Sequence, residues 1–123
     1  MSISTSDFIE QMLLFFPFKK KAYEERMQDY FEGLEIAAIE EIFMPEVIKL
    51  LKDNRDIDML KSIFKYFEKV AVYADYDLQS TFWVAALEIL GNDSSILKTA
   101  KQYMGPKTTV LQYKADKLLG RPV

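Results

Sequence analysis

Apolar residues recur at steps of three and four positions between Ile57 and Ala74, and similar spacing runs through the whole chain. Lys61, Lys65 and Lys69 fall on the opposite side of this stretch, as in an amphipathic helix. No run alternates apolar and polar residues between turn signals, which is the pattern typical of a strand. We therefore predict an all-α fold of seven or eight short helices, arranged as antiparallel hairpins.

The ends of the first helices are indicated by capping residues and prolines. Asp7 and Glu10 have the spacing of a capping box, and the first helix is predicted to begin near Ser6 or Asp7. Pro45 lies inside the helical stretch 34–54. Proline is tolerated only in the first turn of a helix or at a kink, so this stretch is predicted as two helices or one kinked helix.

Four residues indicate ends of the later helices. Asp56 and Asp77 are predicted as N-caps, because their carboxylates can accept hydrogen bonds from the first amides of a helix. Gly91 suits the left-handed position that follows many helices. Pro106 is predicted to open the last helix.

A chain of 123 residues corresponds to one domain, 1–123. Its first 18 residues are predicted to form a helix that docks loosely on the rest. Consecutive hairpins can stack as a short HEAT-like helical solenoid or pack as an irregular bundle. The helical pattern leaves both architectures open.

The sequence contains no cysteine and no histidine. Imidazole and thiolate catalysis, and zinc sites built from these residues, are therefore excluded within one chain. We expect no cofactor and no metal. Glu88 lies between the apolar residues Leu87 and Ile89, so among the acids it is the one we expect to be partly buried. A partly buried carboxylate is a candidate catalytic group. A structural role for Glu88 is the alternative.

The charge is distributed unevenly, although its net value is only −3. Segment 24–46 contains eight acidic residues and one basic residue, whereas segment 98–123 contains six basic residues and one acidic residue. An acidic helical face of this kind favours a protein partner with a basic surface, and the balance makes nucleic acid an unlikely partner. A solvated surface, or pairing between the two segments, would explain the same charges. The candidate partner-binding residues are Glu24, Glu25, Asp29, Glu32 and Glu35.

Segment 105–108 has a faint likeness to the end of a phosphate-binding loop, but Pro106 separates Gly105 from Lys107 and no strand precedes it. A helix that starts at Pro106 explains the same residues. Lys107, close to that helix N-terminus, could still hold an anion.

The N-terminal aromatic cluster can dock on the domain, touch a membrane or form a homodimer. The apolar run 12–18 is far too short to span a bilayer, and its lysines follow it, unlike those of a secretory signal. We therefore expect a cytoplasmic protein that makes no membrane contact. Docking and a homodimer seam both remain open for the four residues concerned, Phe8, Met12, Phe15 and Phe16.

Four segments carry a resemblance to a known family: 64–68 (FKYFE), 87–93 (LEILGND), 103–108 (YMGPKT) and 119–121 (LGR). Across about residues 40–121 the chain resembles a family of short, stand-alone bacterial helical proteins of unassigned function. The resemblance implies stacked helical hairpins and supplies no catalytic residue. In size and charge the chain is also similar to immunity proteins, which block a toxin by covering its active site.

These observations favour a non-catalytic protein-binding domain, such as a toxin-immunity-type inhibitor or an adaptor. Two alternatives belong to other classes. One is a small enzyme that depends on carboxylates, and the other is a self-assembling structural protein that uses the N-terminal aromatic residues.

Overall fold

The computed structural model describes residues 2–28 and 34–123, and within them the chain is helical, which confirms the all-α prediction. Two of the helices contain a π-helical segment, one at Ile39–Phe43 and the other at Trp83–Leu87. A 3₁₀ turn spans Pro17–Lys19. The described helices are α1 (Thr5–Phe15), α2 (Lys20–Arg26), α3 (Leu34–Ala38, Ile39–Phe43 and Met44–Asp53), α4 (Ile57–Tyr73), α5 (Tyr76–Phe82, Trp83–Leu87 and Glu88–Leu90), α6 (Ser94–Lys101) and α7 (Pro106–Leu118).

The helices pack as an irregular bundle. In a solenoid each repeat contacts only its neighbours in the chain. Here α1 packs against α5, α3 against α6, and α4 against α7, so every one of these contacts skips intervening helices. The buried apolar residues form one cluster to which α1, α3, α4, α5, α6 and α7 all contribute.

The N-terminal helix α1 belongs to this core. Phe8 is fully buried and its ring lies 5.9 Å from Tyr66, 6.1 Å from Phe67 and 5.9 Å from Phe82, measured between centroids. Burying an aromatic side chain among three others combines a large apolar area with favourable ring geometry. The helix therefore docks through its apolar face.

This packing removes most of the proposed homodimer seam from the surface. Phe8, Met12 and Phe16 are buried, and Phe15 is half-buried beside Tyr66. A second chain could reach the first three only if α1 left the core. Within one chain the apolar surface of three of these residues is already covered by docking, and a dimer through the four residues stays a prediction.

The helix α1 begins at Thr5, and its capping box lies three residues earlier than the one that the sequence suggested. Ser4 is the N-cap, and its hydroxyl accepts a hydrogen bond from the Asp7 amide, while the Asp7 carboxylate accepts one from the Ser4 amide. Asp7 thus occupies the third helical position of the capping box. Just upstream, the Ile3 amide donates to the carbonyl of Tyr73, which joins the N-terminus to the corner between α4 and α5.

Pro45 does not break α3. The π-helical segment Ile39–Phe43 precedes it directly, and the helix continues through Met44–Asp53. In a regular α-helix a proline ring meets the carbonyl four residues earlier. The wider π turn changes that spacing, so residues 34–53 form one helix with a π-helical segment, and the alternative of two separate helices is wrong.

Asp56 is the N-cap of α4 and Pro106 is the first residue of α7, as predicted. The predictions for two other helix ends need correction. The N-cap of α5 is Asp75, whose carboxylate accepts a hydrogen bond of 2.8 Å from the Leu78 amide, so Asp77 lies inside the first turn. Gly91 has a φ of −83°, which is a right-handed conformation. The predicted left-handed role for Gly91 is therefore wrong. A glycine is needed here because side chains from the C-terminal segment occupy the space that a Cβ atom would fill.

Over residues 2–28 and 34–123, the structure shows no helix both long enough and apolar enough to cross a bilayer.

Candidate functional site

The predicted partner-binding segment lies on α2 and at the start of α3. Glu24 and Glu25 are exposed on α2, and Glu35 is exposed in the first turn of α3. We call these three residues the acidic face. The other two predicted residues, Asp29 and Glu32, lie outside the described part of the chain.

Contacts between α2 and α3 bring these carboxylates into one region. The ring of Tyr23 on α2 lies 6.0 Å from that of Phe43 on α3, and Arg26 Nη2 lies 2.8 Å from Oε2 of Glu41. Burial raises the pKa of the Tyr23 hydroxyl, and the negative charge of Glu35 raises it further. Glu35 is therefore an electrostatic neighbour of α2, although the chain between the two helices is seven residues long.

The fold neutralises other acids of segment 24–46. Glu41 is paired with Arg26, and the buried Glu46 has its Oε2 atom 3.1 Å from Lys49 Nζ. Glu24 has a weaker partner, Lys20, with 4.0 Å between the charged atoms of two exposed side chains. The acidic surface is thus smaller than the sequence suggested, and the acidic face is its exposed remainder.

The basic C-terminal segment does not neutralise the acidic segment. In the described residues, no ion pair joins an acid of 24–46 to a base of 98–123. The described acids of this segment that form ion pairs do so with the nearby Lys20, Arg26 and Lys49. The alternative in which the two charged ends face each other as ion pairs is therefore wrong for the described residues.

The segment around Lys107 does hold an anion, and the anion belongs to the protein. The Glu68 carboxylate on α4 accepts hydrogen bonds from the amides of Lys107 and Thr108, both at 2.9 Å, and from the Thr108 hydroxyl at 2.8 Å. These amides belong to the first turn of α7, where unpaired donors and the helix dipole favour a negative charge. Sequence reasoning missed this role because Glu68 is distant along the chain.

Glu68 and Gly105 fit closely together. Burial raises the pKa of the Glu68 carboxyl, but hydrogen bonds from Thr108 and Lys107, with the charge of Lys107, lower it more, so its pKa lies below the ordinary value. A Cβ atom added to Gly105 would lie 2.5 Å from Oε1 of Glu68. Glycine is needed here for the close approach of a side chain. We call this arrangement the Glu68 clamp.

A second polar cluster joins the end of α5 to the C-terminus. Arg121 Nη1 donates to Oδ1 of the buried Asp116 at 3.0 Å and to the carbonyl of Glu88 at 3.1 Å. Its Nη2 atom donates to Oδ1 of Asn92 at 2.5 Å. The buried Gln112 donates to the Leu87 carbonyl at 2.8 Å and to Asp116. We call this the Arg121 clamp.

Gly91 makes room for the Arg121 clamp. An added Cβ would lie 2.2 Å from Asp116 Oδ1 and 2.4 Å from Arg121 Nη1. Glu88, the candidate catalytic acid, is half-buried beside this cluster, where its backbone carbonyl accepts the hydrogen bond from Arg121. Glu88 therefore contributes to the Arg121 clamp through its backbone carbonyl. A catalytic role for its carboxylate stays a prediction.

The four segments that carry the family resemblance meet at these two clamps. Segments 64–68 and 103–108 form the Glu68 clamp, and segments 87–93 and 119–121 contribute to the Arg121 clamp. Both clamps fasten the last helix to the bundle. Across the described chain, no group of three or more acidic side chains is arranged to hold a metal ion.

Comparison with known proteins agrees with the resemblance. No curated protein and no solved structure matches the chain. A family model described as a domain of unknown function (DUF7674) matches residues 9–119, which include the Glu68 clamp and, in the Arg121 clamp, every residue except Arg121 itself. The chain belongs to this family of unknown function.

Proposed function

We propose that this chain is a non-catalytic protein-binding domain, which uses the acidic face to bind a protein with a basic surface. The observation that supports this most directly is the exposure of Glu24, Glu25 and Glu35 on two helices that pack together. A toxin-immunity-type inhibitor or an adaptor would use such a surface. The cytoplasm remains our proposal for its location, which rests on the sequence alone.

The selective pairing within segment 24–46 supports the proposal. Glu41 and Glu46 have close cationic partners, at 2.8 and 3.1 Å, whereas the structure gives no ion pair to Glu25 or Glu35 in the described residues. Exposed carboxylates at the rim of an interface stay largely hydrated, so binding there requires little desolvation, and without an ion-pair partner their negative field is not cancelled. They are therefore available to a partner.

Electrostatics of this kind acts mainly on the rate of association. Charges on a rim attract an oppositely charged partner at distances up to about a Debye length, roughly 10 Å at 0.1 M salt. Neutralising or reversing them lowers the association rate and leaves the dissociation rate nearly unchanged. Binding through the acidic face is therefore expected to weaken as salt rises.

The test compares a charge-reversed variant with a matched control. In the first, Glu24, Glu25 and Glu35 are changed to Lys. In the second, the exposed acids Glu10, Asp53 and Asp58, which lie outside the acidic face, are changed to Lys, so that both variants gain the same charge. Each is immobilised and exposed to extract of the source organism at low and high salt, and captured proteins are quantified by mass spectrometry.

The proposal expects one stoichiometric protein that the wild type and the control retain at low salt and release at high salt. The acidic-face variant should fail to retain it. With the purified partner, its association rate should fall at least about tenfold more than that of the control, which is the scale of electrostatic steering. Equal rates for the two variants, or no captured protein at all, would contradict the proposal.

A further inference from the structure

A second charged surface lies on α4, away from the acidic face. Lys61, Lys65 and Lys69 are exposed, follow one another at four-residue steps, and line a groove of about 480 Å³ between α4 and the turn that precedes α7. The opposite wall contains Gln102 and Tyr103. We call this the lysine groove.

The floor of the lysine groove is fixed by aromatic packing. The ring of Tyr103 lies 6.0 Å from that of the buried Phe64, and its hydroxyl donates a hydrogen bond to Oδ1 of Asn54 at 2.5 Å. Glu68 also lines the groove, but its carboxylate is occupied by the first turn of α7. The groove is therefore a preformed feature with satisfied polar groups at its base.

In the part of the chain that the structure describes, none of the three lysines takes part in an ion pair, and the one carboxylate that lines the groove with them, that of Glu68, is bonded to the first turn of α7. Like charges at four-residue spacing weaken a helix slightly. An anionic ligand would relieve this repulsion. The side-chain amide of Gln102, which also lines the groove, could form a hydrogen bond with the backbone of a bound peptide.

We propose that the lysine groove binds an extended acidic peptide segment of another protein. Four helical residues rise about 6 Å, so successive lysines are about 6 Å apart along α4. In an extended peptide, side chains on one face repeat every second residue, about 6.6 Å apart. A segment with acidic residues at every second position therefore matches the three lysines in both sign and spacing.

The aromatic residues favour a peptide over single-stranded nucleic acid. Proteins that bind single strands without sequence preference stack bases on accessible aromatic rings. Phe64 is fully buried, and Tyr103 is half-buried against it with its hydroxyl already bonded. The groove thus offers cations and amides rather than a stacking surface. This inference does not depend on the acidic face.

The test measures binding of the full chain to three fluorescent probes by anisotropy. The first is a nine-residue peptide with glutamates at every second position. The second has the same composition, with its glutamates contiguous. The third is oligo-thymidine of equal net charge. We expect the alternating peptide to bind at least about fivefold more tightly than either of the others.

Matched variants locate the site. One changes Lys61, Lys65 and Lys69 to Gln, and the control changes Lys21, Lys98 and Lys114, which are exposed elsewhere, to Gln. The first should weaken peptide binding at least about tenfold more than the control, with both melting temperatures near the wild type. Should the first variant unfold, amide chemical-shift changes in the wild-type chain on peptide addition provide the second readout, and they should cluster at residues 61–69 and 102–105.

Three results would overturn the inference. One is the absence of peptide binding by the wild type. The second is equal weakening by the two sets of substitutions, or shift changes outside the groove. The third is equal or tighter binding of oligo-thymidine, which would indicate a general polyanion or nucleic-acid surface instead.

Discussion

The Glu68 carboxylate accepts hydrogen bonds from both the amide and the hydroxyl of Thr108, at 2.9 and 2.8 Å, across a separation of 40 residues in the chain. A helix N-terminus usually receives its cap from a residue just before it. Here the residue before α7 is Gly105, which has no capping side chain, and α4 supplies the carboxylate instead. The same contact therefore completes a helix and joins it to the bundle.

Replacing Glu68 should destabilise the protein. Glu68→Ala removes three hydrogen bonds to a charged acceptor, and we expect a loss of about 1–3 kcal/mol in the free energy of unfolding. Glu68→Gln, which keeps one acceptor oxygen, should lose less. Urea denaturation measures both against Glu10→Ala, an exposed glutamate on α1 whose replacement should change stability by less than about 0.5 kcal/mol. Equal effects at Glu68 and Glu10 would contradict the clamp.

The stabilisation from Glu68 should depend on pH with a definite sign. Its pKa is lower in the folded chain than its ordinary value, so the folded state favours the ionised form. The contribution is present above the ordinary glutamate pKa of about 4.3 and is lost as the pH falls through the lowered pKa of the folded protein.

The difference between wild type and Glu68→Gln isolates this effect. Asp7 and Asp93 also have lowered pKa values through hydrogen bonds to their own helix N-termini, but they titrate alike in both proteins and cancel. We expect the stability difference measured by urea denaturation to shrink as the pH is lowered from about 5 to 3. A difference that stays constant over this range would show that the charge of Glu68 contributes nothing.

Removing Arg121 should be costly although it lies beyond the last helix. Arg121→Ala leaves the Asp116 carboxylate buried with Gln112 as its remaining partner, and we expect a loss of about 2–4 kcal/mol. Adding Asp116→Asn should restore part of it, because the unpaired charge is gone. Thermal unfolding measures this, with Lys117→Ala as the exposed cationic control on the same helix. Additive effects of the two substitutions would mean that the pair is not coupled.

Phe8 should behave as a core residue. Phe8→Ala leaves a cavity among Tyr66, Phe67 and Phe82, and we expect a loss of about 3–5 kcal/mol in stability. Leu14→Ala, an exposed position on the same helix, should change stability by less than about 0.5 kcal/mol. Calorimetry compares the melting temperatures, and analytical ultracentrifugation reports the oligomeric state. A Phe8→Ala protein with an unchanged melting temperature and a changed oligomeric state would instead support a dimer seam.

One feature of the candidate surfaces was predictable from residue spacing. Lys61, Lys65 and Lys69 lie together on one side of α4, whereas the partner-binding role of Glu24, Glu25 and Glu35 stays a prediction. Helical periodicity is enough for such predictions, because it determines which side chains share a face. It says nothing of what lies opposite that face. The pairing of Glu41 with Arg26 and the burial of Glu46 were therefore not predictable.

The sequence by itself determined the helical class and the helix ends that depend on near neighbours, such as the N-cap at Asp56 and the start of the last helix at Pro106. Only the tertiary structure decided which distant groups complete the last helix, because Glu68 and Arg121 reach partners 29 to 40 residues away. The same reason explains Gly91 and Gly105. Local spacing suggests a turn at each glycine, whereas packing shows that a side chain from another segment occupies the space of a Cβ atom.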